Sequence, residues 1–214
     1  MMGEIEELRS GYKERKNVIE KRLREFEKVG HKKFKVLFPE LVYCLLTPQS
    51  RARNCDAAVN ELQKKGLLFN GDVEQIAEAL SGVRFRNTKA QRIVGARDLF
   101  VGDGAYDLEM ILQKGTRPRV LREWFVTNVN GLGYKEASHF LRNIGVGFDL
   151  AILDRHILKN LWEYRVIKEF PQSLTKKQYL ETEKKMRKFS NKIGIEMRAL
   201  DLLFWSMETG EVFK

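Results

Sequence analysis

The sequence is poor in cysteine, and this excludes several kinds of protein. Only two of its 214 residues are cysteines, Cys44 and Cys55, which is too few for a disulfide framework. Their separation of eleven residues also matches no zinc or iron–sulfur spacing. We therefore expect two reduced, buried thiols, no metal site and no cofactor.

Long apolar runs are also missing. The longest, from Val36 to Leu46, is interrupted by Pro39 and Glu40, whereas a membrane-spanning helix needs about 20 apolar residues. The N-terminus, MMGEIEELRS, lacks the apolar core of a secretory signal peptide. Hydrophobic residues nevertheless make up 43% of the chain, which is enough for a packed core. These features predict a globular protein of the cytoplasm with no membrane partner.

Strand-like alternation of apolar and polar residues is absent, as are internal repeats and low-complexity segments. Apolar residues instead recur at spacings of three and four, which is typical of amphipathic helices. The pattern predicts helices at residues 4–29, 38–46, 52–62, 72–80, 88–100, 108–114, 119–128, 135–144, 154–164, 175–192 and 195–208. The predicted fold class is therefore all-α.

Positive charge exceeds negative charge by a wide margin. Lysine and arginine together number 39 against 29 acidic residues, so the formal net charge is +10 and the sequence pI is about 9.6. A protein this basic usually binds a polyanion, because each phosphate that it neutralises releases condensed counterions. Charge alone does not distinguish DNA, RNA, the ribosome and a membrane surface, and a solvated basic face without a ligand is the simpler alternative.

The most informative motif is VNGLGYKEA at residues 129–137. One predicted helix ends near Asn128, Gly131 and Gly133 form a tight turn, and the next helix begins at once. Glycine at both positions permits positive φ and close approach of another backbone. The unpaired N–H groups at the helix start suit a phosphate oxygen. The motif predicts a clamp for one DNA phosphate without base readout, although a purely structural αα-hairpin has a similar pattern.

Lys135 follows this hairpin directly, in the first turn of the second helix. The positive end of the helix dipole disfavours an ammonium group, and a neutral lysine amine can attack C1′ of a deoxyribose to form a Schiff base. Nineteen residues later, Asp154 follows an apolar segment and precedes a predicted helix. Its carboxylate can stabilise positive charge on a sugar ring or exchange a proton with Lys135. A plain N-cap role is compatible with both functions.

These two segments, Gly131-Leu132-Gly133-Tyr134-Lys135 and Leu153-Asp154-Arg155-His156, resemble the signature of the helix–hairpin–helix DNA glycosylase superfamily. Within it, the chain is most similar to the compact archaeal-type 8-oxoguanine DNA glycosylase/lyases, which lack an iron–sulfur cluster and end in a lysine, here Lys214. The resemblance implies two helical domains around a cleft. One would comprise residues 1–47 plus 148–214, and the other residues 48–147, which end in the hairpin.

The resemblance also implies roles for individual residues. Lys135 would be the nucleophile and Asp154 its catalytic partner in excision of 8-oxoguanine followed by β-elimination. Phe85 and Trp205 would stack on the flipped base, and Lys214 would offer its terminal carboxylate to the Watson–Crick edge of the guanine. The implied DNA contacts are Gln49 as the wedge that fills the duplex, Arg51 and Arg53 beside it, the hairpin glycines Gly131 and Gly133, and His156 at a phosphate. The loop around Gln49 could equally bind phosphate alone.

The expected partner is double-stranded DNA that contains 8-oxoguanine or an abasic site, bound by a monomer in the nucleoid region of the cytoplasm. One alternative is a non-catalytic helix–hairpin–helix module that uses the hairpin only for phosphate contact. Such a module does not need Asp154 at this spacing. Another alternative is a glycosylase for an oxidised pyrimidine or a mismatched base; Lys214 and the lack of cluster cysteines argue against it through the resemblance.

Overall fold

The computed structural model describes residues 2–113 and 115–214, and within them every regular element is a helix. The predicted all-α fold class is therefore confirmed. The helices in this part of the chain are α1 (Met2–Val29), α2 (Phe34–Leu46), α3 (Ala52–Lys64), α4 (Leu67–Asn70), α5 (Val73–Ala79), α6 (Arg86–Phe100), α7 (Leu108–Ile111), α8 (Pro118–Asn128), α9 (Tyr134–Asn143), α10 (Arg155–Glu163), α11 (Lys176–Ile193) and α12 (Met197–Thr209). None of them is long and apolar enough to cross a membrane.

Most of the predicted helices are present with bounds that differ by a few residues. Helix α2 begins at Phe34 rather than at residue 38, because the ring of Phe34 stacks on that of Phe38, 5.1 Å between centroids, and extends the buried face by one turn. Helix α4 has four residues and was not predicted. The helix predicted at 108–114 ends at Ile111, and its predicted last residue, Lys114, lies outside the described residues.

The starts of two helices follow from capping side chains. As predicted, Asp72 caps α5: its Oδ1 accepts a hydrogen bond from the N–H of Gln75 at 2.8 Å, and the Gln75 side chain accepts one from the N–H of Asp72 at 3.1 Å. Thr175 and Gln178 form the same reciprocal pair at the start of α11. Each such pair satisfies two backbone donors that the helix leaves free.

Buried apolar side chains form two hydrophobic clusters. The central cluster unites α2 to α9 with Leu150 and Phe213. The outer cluster unites α1 with Ala151, Leu153 and α10 to α12. Helix α2 packs in the central cluster, although the predicted division groups it with residues 1–47. The domain boundaries at residues 47 and 147 stay a prediction, while the cleft described below is lined by residues of both clusters.

Candidate active site

The predicted helix–hairpin–helix is formed by α8, residues 129–133 and α9. Gly131 has a φ of +92°, and a Cβ atom there would lie 2.4 Å from Cδ of Arg92. Position 131 therefore needs glycine both for its backbone conformation and for space. The N–H of Gly133 donates to Oε2 of Glu136 at 3.2 Å. Leu132, between the two glycines, is buried and anchors the hairpin to the central cluster.

Lys135 is the second residue of α9 and lines a cleft of about 1490 Å³. Its side chain is 23% exposed, and its Nζ lies 3.0 Å from Oε1 of Glu136, which also lines the cleft. The lysine is thus accessible to a ligand in the cleft and has a carboxylate beside it. Such a carboxylate can accept the proton that an ammonium group must lose before its nitrogen acts as a nucleophile.

Asp154 lines the same cleft as Lys135. It is the N-cap of α10, since its Oδ1 accepts a hydrogen bond from the N–H of Ile157 at 2.8 Å. The preceding residues 151–153 are buried, so the carboxylate stands at the point where a buried segment reaches the cleft. The structure therefore places on one cleft the amine and the carboxylate that the sequence separates by nineteen residues.

Three side chains hold the segment before Asp154 in place. The hydroxyl of Tyr179 donates to the carbonyl of Ala151 at 2.6 Å, and Oε2 of Glu183 accepts from the N–H of Ala151 at 3.0 Å. Glu183 also forms a buried ion pair with Arg122 of α8, 2.5 Å between Nη1 and Oε2. Because α8 carries the hairpin, this ion pair links the hairpin to the segment that presents Asp154.

These three residues were not predicted from the sequence. Tyr179 and Glu183 are four residues apart on the buried face of α11, which is the one sequence signal that could have indicated an inward-facing carboxylate. Arg122 is 1% exposed, and its guanidinium lies 5.2 Å from the ring centroid of Tyr134. A buried charge of this kind requires a partner, but the sequence does not reveal that the partner lies 61 residues away.

The candidate base pocket is formed by Trp205 and Lys214, which both line the cleft. Nζ of Lys214 lies 2.8 Å from Oδ1 of Asp56 and 3.2 Å from Oε1 of Glu40. The backbone oxygen of Lys214 accepts a hydrogen bond from the hydroxyl of Tyr43 at 3.1 Å. Burial lowers the pKa of Lys214, but the two carboxylates outweigh burial and raise it above its ordinary value. The lysine side chain is therefore engaged as a cation within the protein.

His139 also lines this pocket and was not predicted. It is buried, its ring lies edge-on to that of Tyr43 at 5.6 Å, and its Nε2 has no hydrogen-bond partner among the described residues. Burial, and then the positive charges of Arg142, Lys135 and Lys214, lower its pKa well below the ordinary value. Burial therefore keeps the imidazole of His139 neutral.

Phe85 is placed differently from the other predicted base-pocket residues. It is not among the residues that line the cleft; it is 56% exposed and has a φ of +58°. The guanidinium of Arg84, which does line the cleft, lies 5.5 Å from the ring centroid of Phe85. The structure thus brings Phe85 to the rim and not to the floor of the pocket.

Gln49, Arg51 and Arg53 all line the cleft. Gln49 is exposed and has a φ of +55°, a left-handed conformation that is uncommon for residues other than glycine. Arg51 is exposed. Arg53 forms an ion pair with Glu211, and its guanidinium lies 4.0 Å from the ring centroid of Phe213. Arg53 therefore also holds the C-terminal segment against α3.

His156 lies between the cleft and a second cavity of about 690 Å³. The residues that line this second cavity are Arg155, His156, Lys159, Trp162, Phe170 and Glu208. Nδ1 of His156 lies 4.0 Å from Oε2 of Glu208, and its ring lies 6.5 Å from that of Trp205.

Among the described residues, no group of three or more His, Cys, Asp or Glu side chains is arranged to hold a metal ion.

The described residues are all helical outside their loops, and a helix–hairpin–helix presents Lys135 to a cleft, which is the arrangement expected of a helix–hairpin–helix DNA glycosylase. Residues 19–195 match the family described as 8-oxoguanine DNA glycosylase, and the chain belongs to this family. A relative named 8-oxoguanine DNA glycosylase/AP lyase from Fusobacterium nucleatum is 44% identical over 99% of this chain and 96% of its own. A relative of the same name from Methanocaldococcus jannaschii is 36% identical over 100% of this chain and 99% of its own.

Solved structures agree with this family membership. The crystal structure of the 8-oxoguanine DNA glycosylase of Thermotoga maritima superposes with a TM-score of 0.88 at 35% identity and covers 100% of both chains. That of the Methanocaldococcus jannaschii 8-oxoguanine glycosylase/lyase in complex with a 15mer DNA containing 8-oxoguanine gives a TM-score of 0.89 at 34% identity, again with full coverage of both chains.

Proposed function

We propose that this protein is a bifunctional DNA glycosylase/AP lyase that excises 8-oxoguanine from double-stranded DNA. The observation that carries the proposal is that one cleft contains both Lys135, directly after the hairpin, and Asp154, at the start of α10. The relatives named 8-oxoguanine DNA glycosylase/AP lyase match nearly the whole of this chain over nearly the whole of their own length, which supports the same activity here.

DNA binding is proposed to use the rim of the cleft. The backbone N–H groups of the hairpin, with Gly131 and Gly133, bind one phosphate, because the start of α9 directs partial positive charge at it. The lesion leaves the base stack, and Gln49 takes its place in the duplex. The proposed further phosphate contacts are Arg51, Arg53 and His156.

The flipped base is proposed to enter the pocket beside Lys214. Trp205 stacks on one face of the base, and Phe85 closes the other face from the rim, which requires its exposed ring to turn toward the cleft. Lys214 contacts the Watson–Crick edge. Stacking between aromatic faces together with hydrogen bonds to that edge is how enzymes read an extruded base.

Excision begins when the neutral amine of Lys135 attacks C1′ of the deoxyribose. The N-glycosidic bond breaks, its electron pair leaves with the base, and the base takes up a proton. The carboxylate of Asp154 stabilises the positive charge that develops on the sugar. Glu136, 3.0 Å from the lysine nitrogen, and Asp154 are the carboxylates that can accept the proton lost by the amine.

Strand cleavage follows from the same covalent intermediate. Opening of the sugar ring gives a Schiff base between Lys135 and C1′. Removal of a proton from C2′ then forms a C2′–C3′ double bond and expels the 3′ phosphate as the leaving group. Hydrolysis of the Schiff base returns the free amine. No step needs an oxidant or a reductant.

The proposed setting follows from this substrate. Chromosomal DNA is the substrate, so we place the enzyme in the cytoplasm, at the nucleoid. We also propose that the enzyme acts as a monomer, since Lys135 and Asp154 of one chain line the same cleft.

Borohydride trapping tests the proposal, because borohydride reduces a Schiff base to a stable protein–DNA adduct. We expect the wild type to be trapped on a duplex with 8-oxoguanine and the Lys135→Gln variant to bind that duplex without being trapped. Lys176→Gln is the matched control, since Lys176 also lines the cleft but pairs with Glu123 at 2.8 Å; it should retain the adduct.

Other results of the trapping experiment would favour a DNA-binding module, a different damaged base or a different nucleophile. Binding without an adduct or strand cleavage in the wild type would leave a DNA-binding module that is not an enzyme. An adduct on an oxidised pyrimidine or a mismatch but none on 8-oxoguanine would retain the chemistry and change the substrate. An adduct that survives in Lys135→Gln would assign the nucleophile to another amine.

A further inference from the structure

Lys89 of α6 is a fully buried lysine whose partners are not carboxylates. It is 1% exposed. Its Nζ donates hydrogen bonds to the carbonyl of Leu46 at 2.7 Å, the carbonyl of Pro48 at 2.8 Å and Oγ of Ser50 at 3.0 Å. An ammonium group has three donors, so all of them are used. Lys89 therefore has no donor left for a DNA phosphate.

Two of the three acceptors of Lys89, Pro48 and Ser50, belong to residues 47–51, which we call the wedge loop. The third acceptor, Leu46, is the last residue of α2. The loop carries Gln49 and lines the cleft. Ser50 extends the connection, because its Oγ also accepts a hydrogen bond from the N–H of Arg84 at 3.0 Å. Lys89 thus joins the wedge loop to the neighbouring loop that carries Arg84 and Phe85.

Both connected loops contain a residue in an uncommon backbone conformation. Among the described residues, three other than glycine have a positive φ, and two of them are Gln49 at +55° and Phe85 at +58°. A left-handed conformation is unfavourable for such a residue, so it persists where surrounding contacts hold it. The hydrogen bonds of Lys89 and Ser50 lie directly beside both positions.

Burial of this lysine is itself unfavourable and needs an explanation. Burial lowers the pKa of Lys89, because it disfavours the charged ammonium. An apolar side chain of similar length would fill the same space in the central cluster without this cost, but it would remove the donor that Lys89 supplies to the carbonyls of Leu46 and Pro48.

We propose that Lys89 is a positioning residue that holds the wedge loop in the conformation in which Gln49 enters the duplex. This rests on the proposed function, and it assigns to Lys89 a role in opening double-stranded DNA and none in the chemistry. A loop that already has the conformation required for insertion loses less conformational entropy when it binds DNA than a flexible loop does. The role concerns paired DNA, because a single strand has no duplex gap to fill.

The test compares Lys89→Met with the wild type on duplex and on single-stranded oligonucleotides that carry an abasic site, by single-turnover strand cleavage. We expect the rate on duplex to fall about tenfold, and the rate on the single strand to change by less than about twofold. Equal losses on both substrates would overturn the proposal, since they would show a general structural defect.

Trypsin cleavage after Arg51 provides a measurement that does not depend on catalysis. Release of the wedge loop should make this cleavage about tenfold faster in Lys89→Met at a temperature at which both proteins are folded. Unchanged cleavage would overturn the proposal. If the wild type showed no strand cleavage on any DNA, the proposed function would fail, and the trypsin result would still decide whether Lys89 holds the loop.

Ser50→Ala is the second variant, in case Lys89→Met does not fold. It removes one of the three acceptors of Lys89 and the acceptor of the Arg84 N–H, while both carbonyl bonds to Lys89 remain. The ratio of duplex to single-strand rates should therefore fall in the same direction by a smaller factor. A ratio equal to that of the wild type would contradict the role of this hydrogen-bond network.

Discussion

The hydroxyl of Tyr179 donates a hydrogen bond to the carbonyl of Ala151 at 2.6 Å, three residues before Asp154. The same hydroxyl accepts a hydrogen bond from the N–H of Leu153 at 3.4 Å. Burial raises the pKa of Tyr179, so the phenol stays protonated and remains a donor. One side chain of α11 thus fixes the backbone of the segment that brings the candidate carboxylate to the cleft.

The Tyr179→Phe variant should separate this positioning role from packing. Loss of the hydroxyl leaves the Ala151 carbonyl without its donor, which we expect to cost about 1 kcal/mol of unfolding free energy. Displacement of Asp154 should slow Schiff-base formation about tenfold with little change in DNA affinity. Tyr164→Phe, in the same outer cluster, is the control and should leave the trapping rate unchanged. A loss of affinity with a normal trapping rate would argue against this role.

Two substitutions of Asp154 should distinguish its role as a helix N-cap from the catalytic role of its negative charge. Asn caps a helix about as well as Asp, so Asp154→Asn should keep its unfolding free energy within a few tenths of a kcal/mol. Asp154→Ala also loses the hydrogen bond to Ile157 and should lose about 1 kcal/mol. Both variants lack the carboxylate and should form the borohydride adduct about 10²–10⁴ times more slowly. If Asp154→Asn formed the adduct at the wild-type rate, Asp154 would be only a helix cap.

Substitution of Gly131 by alanine should weaken DNA binding. The φ of +92° is unfavourable for alanine, and the added Cβ would lie 2.4 Å from the Arg92 side chain. We expect a loss of about 1–2 kcal/mol in stability and a lower affinity for undamaged duplex, measured by fluorescence anisotropy. Gly95 of α6 is the matched control, because a Cβ there meets no atom within 4 Å. Gly95→Ala should gain about 0.5–1 kcal/mol and retain the affinity of the wild type.

Asp201 should make the protein less stable as the pH rises. Burial raises its pKa to about 6 against the opposing charge of Arg142, and the charge of Asp154 adds to the increase. The folded protein therefore holds this proton more tightly than the unfolded chain, in which the pKa is 3.8. The resulting stabilisation is complete below the unfolded value and is lost as the pH rises through about 6.

Urea unfolding of the wild type and of Asp201→Asn measures this effect. Between about pH 4 and pH 7, the unfolding free energy of the wild type should fall by about 2 kcal/mol relative to that of Asp201→Asn. Other titrating groups contribute to both proteins and cancel in the difference. A difference that does not depend on pH would show that Asp201 has an ordinary pKa.

Local signals in the sequence predicted most of the helices, whereas the cleft was expected only from the resemblance to helix–hairpin–helix DNA glycosylases. Apolar spacing gave the helices of the all-α fold, and Asp72 and Asp154 act as the N-caps that their positions suggested. The hairpin glycines and Lys135 needed only neighbouring residues for their interpretation. All of these features depend on contacts within about one helical turn, which a single sequence displays directly.

Features that depend on distant contacts were not predictable. Lys89 bonds to residues about 40 positions away, and Arg122 pairs with Glu183 across 61 residues. In the sequence these side chains look like ordinary members of charged helix faces. The position of Phe85 at the rim was equally hidden, because its left-handed backbone is held by tertiary contacts. The roles assigned to the site residues stay predictions until the experiments above are made.

Lys135 and Asp154 begin helices whose buried faces belong to different hydrophobic clusters, α9 to the central cluster and α10 to the outer cluster. A small shift of one cluster against the other would separate the amine from the carboxylate while every helix remained intact. Heat inactivation should therefore set in below the temperature at which the circular dichroism of the helices is lost. It should also be reversible on cooling, because neither cluster has to refold.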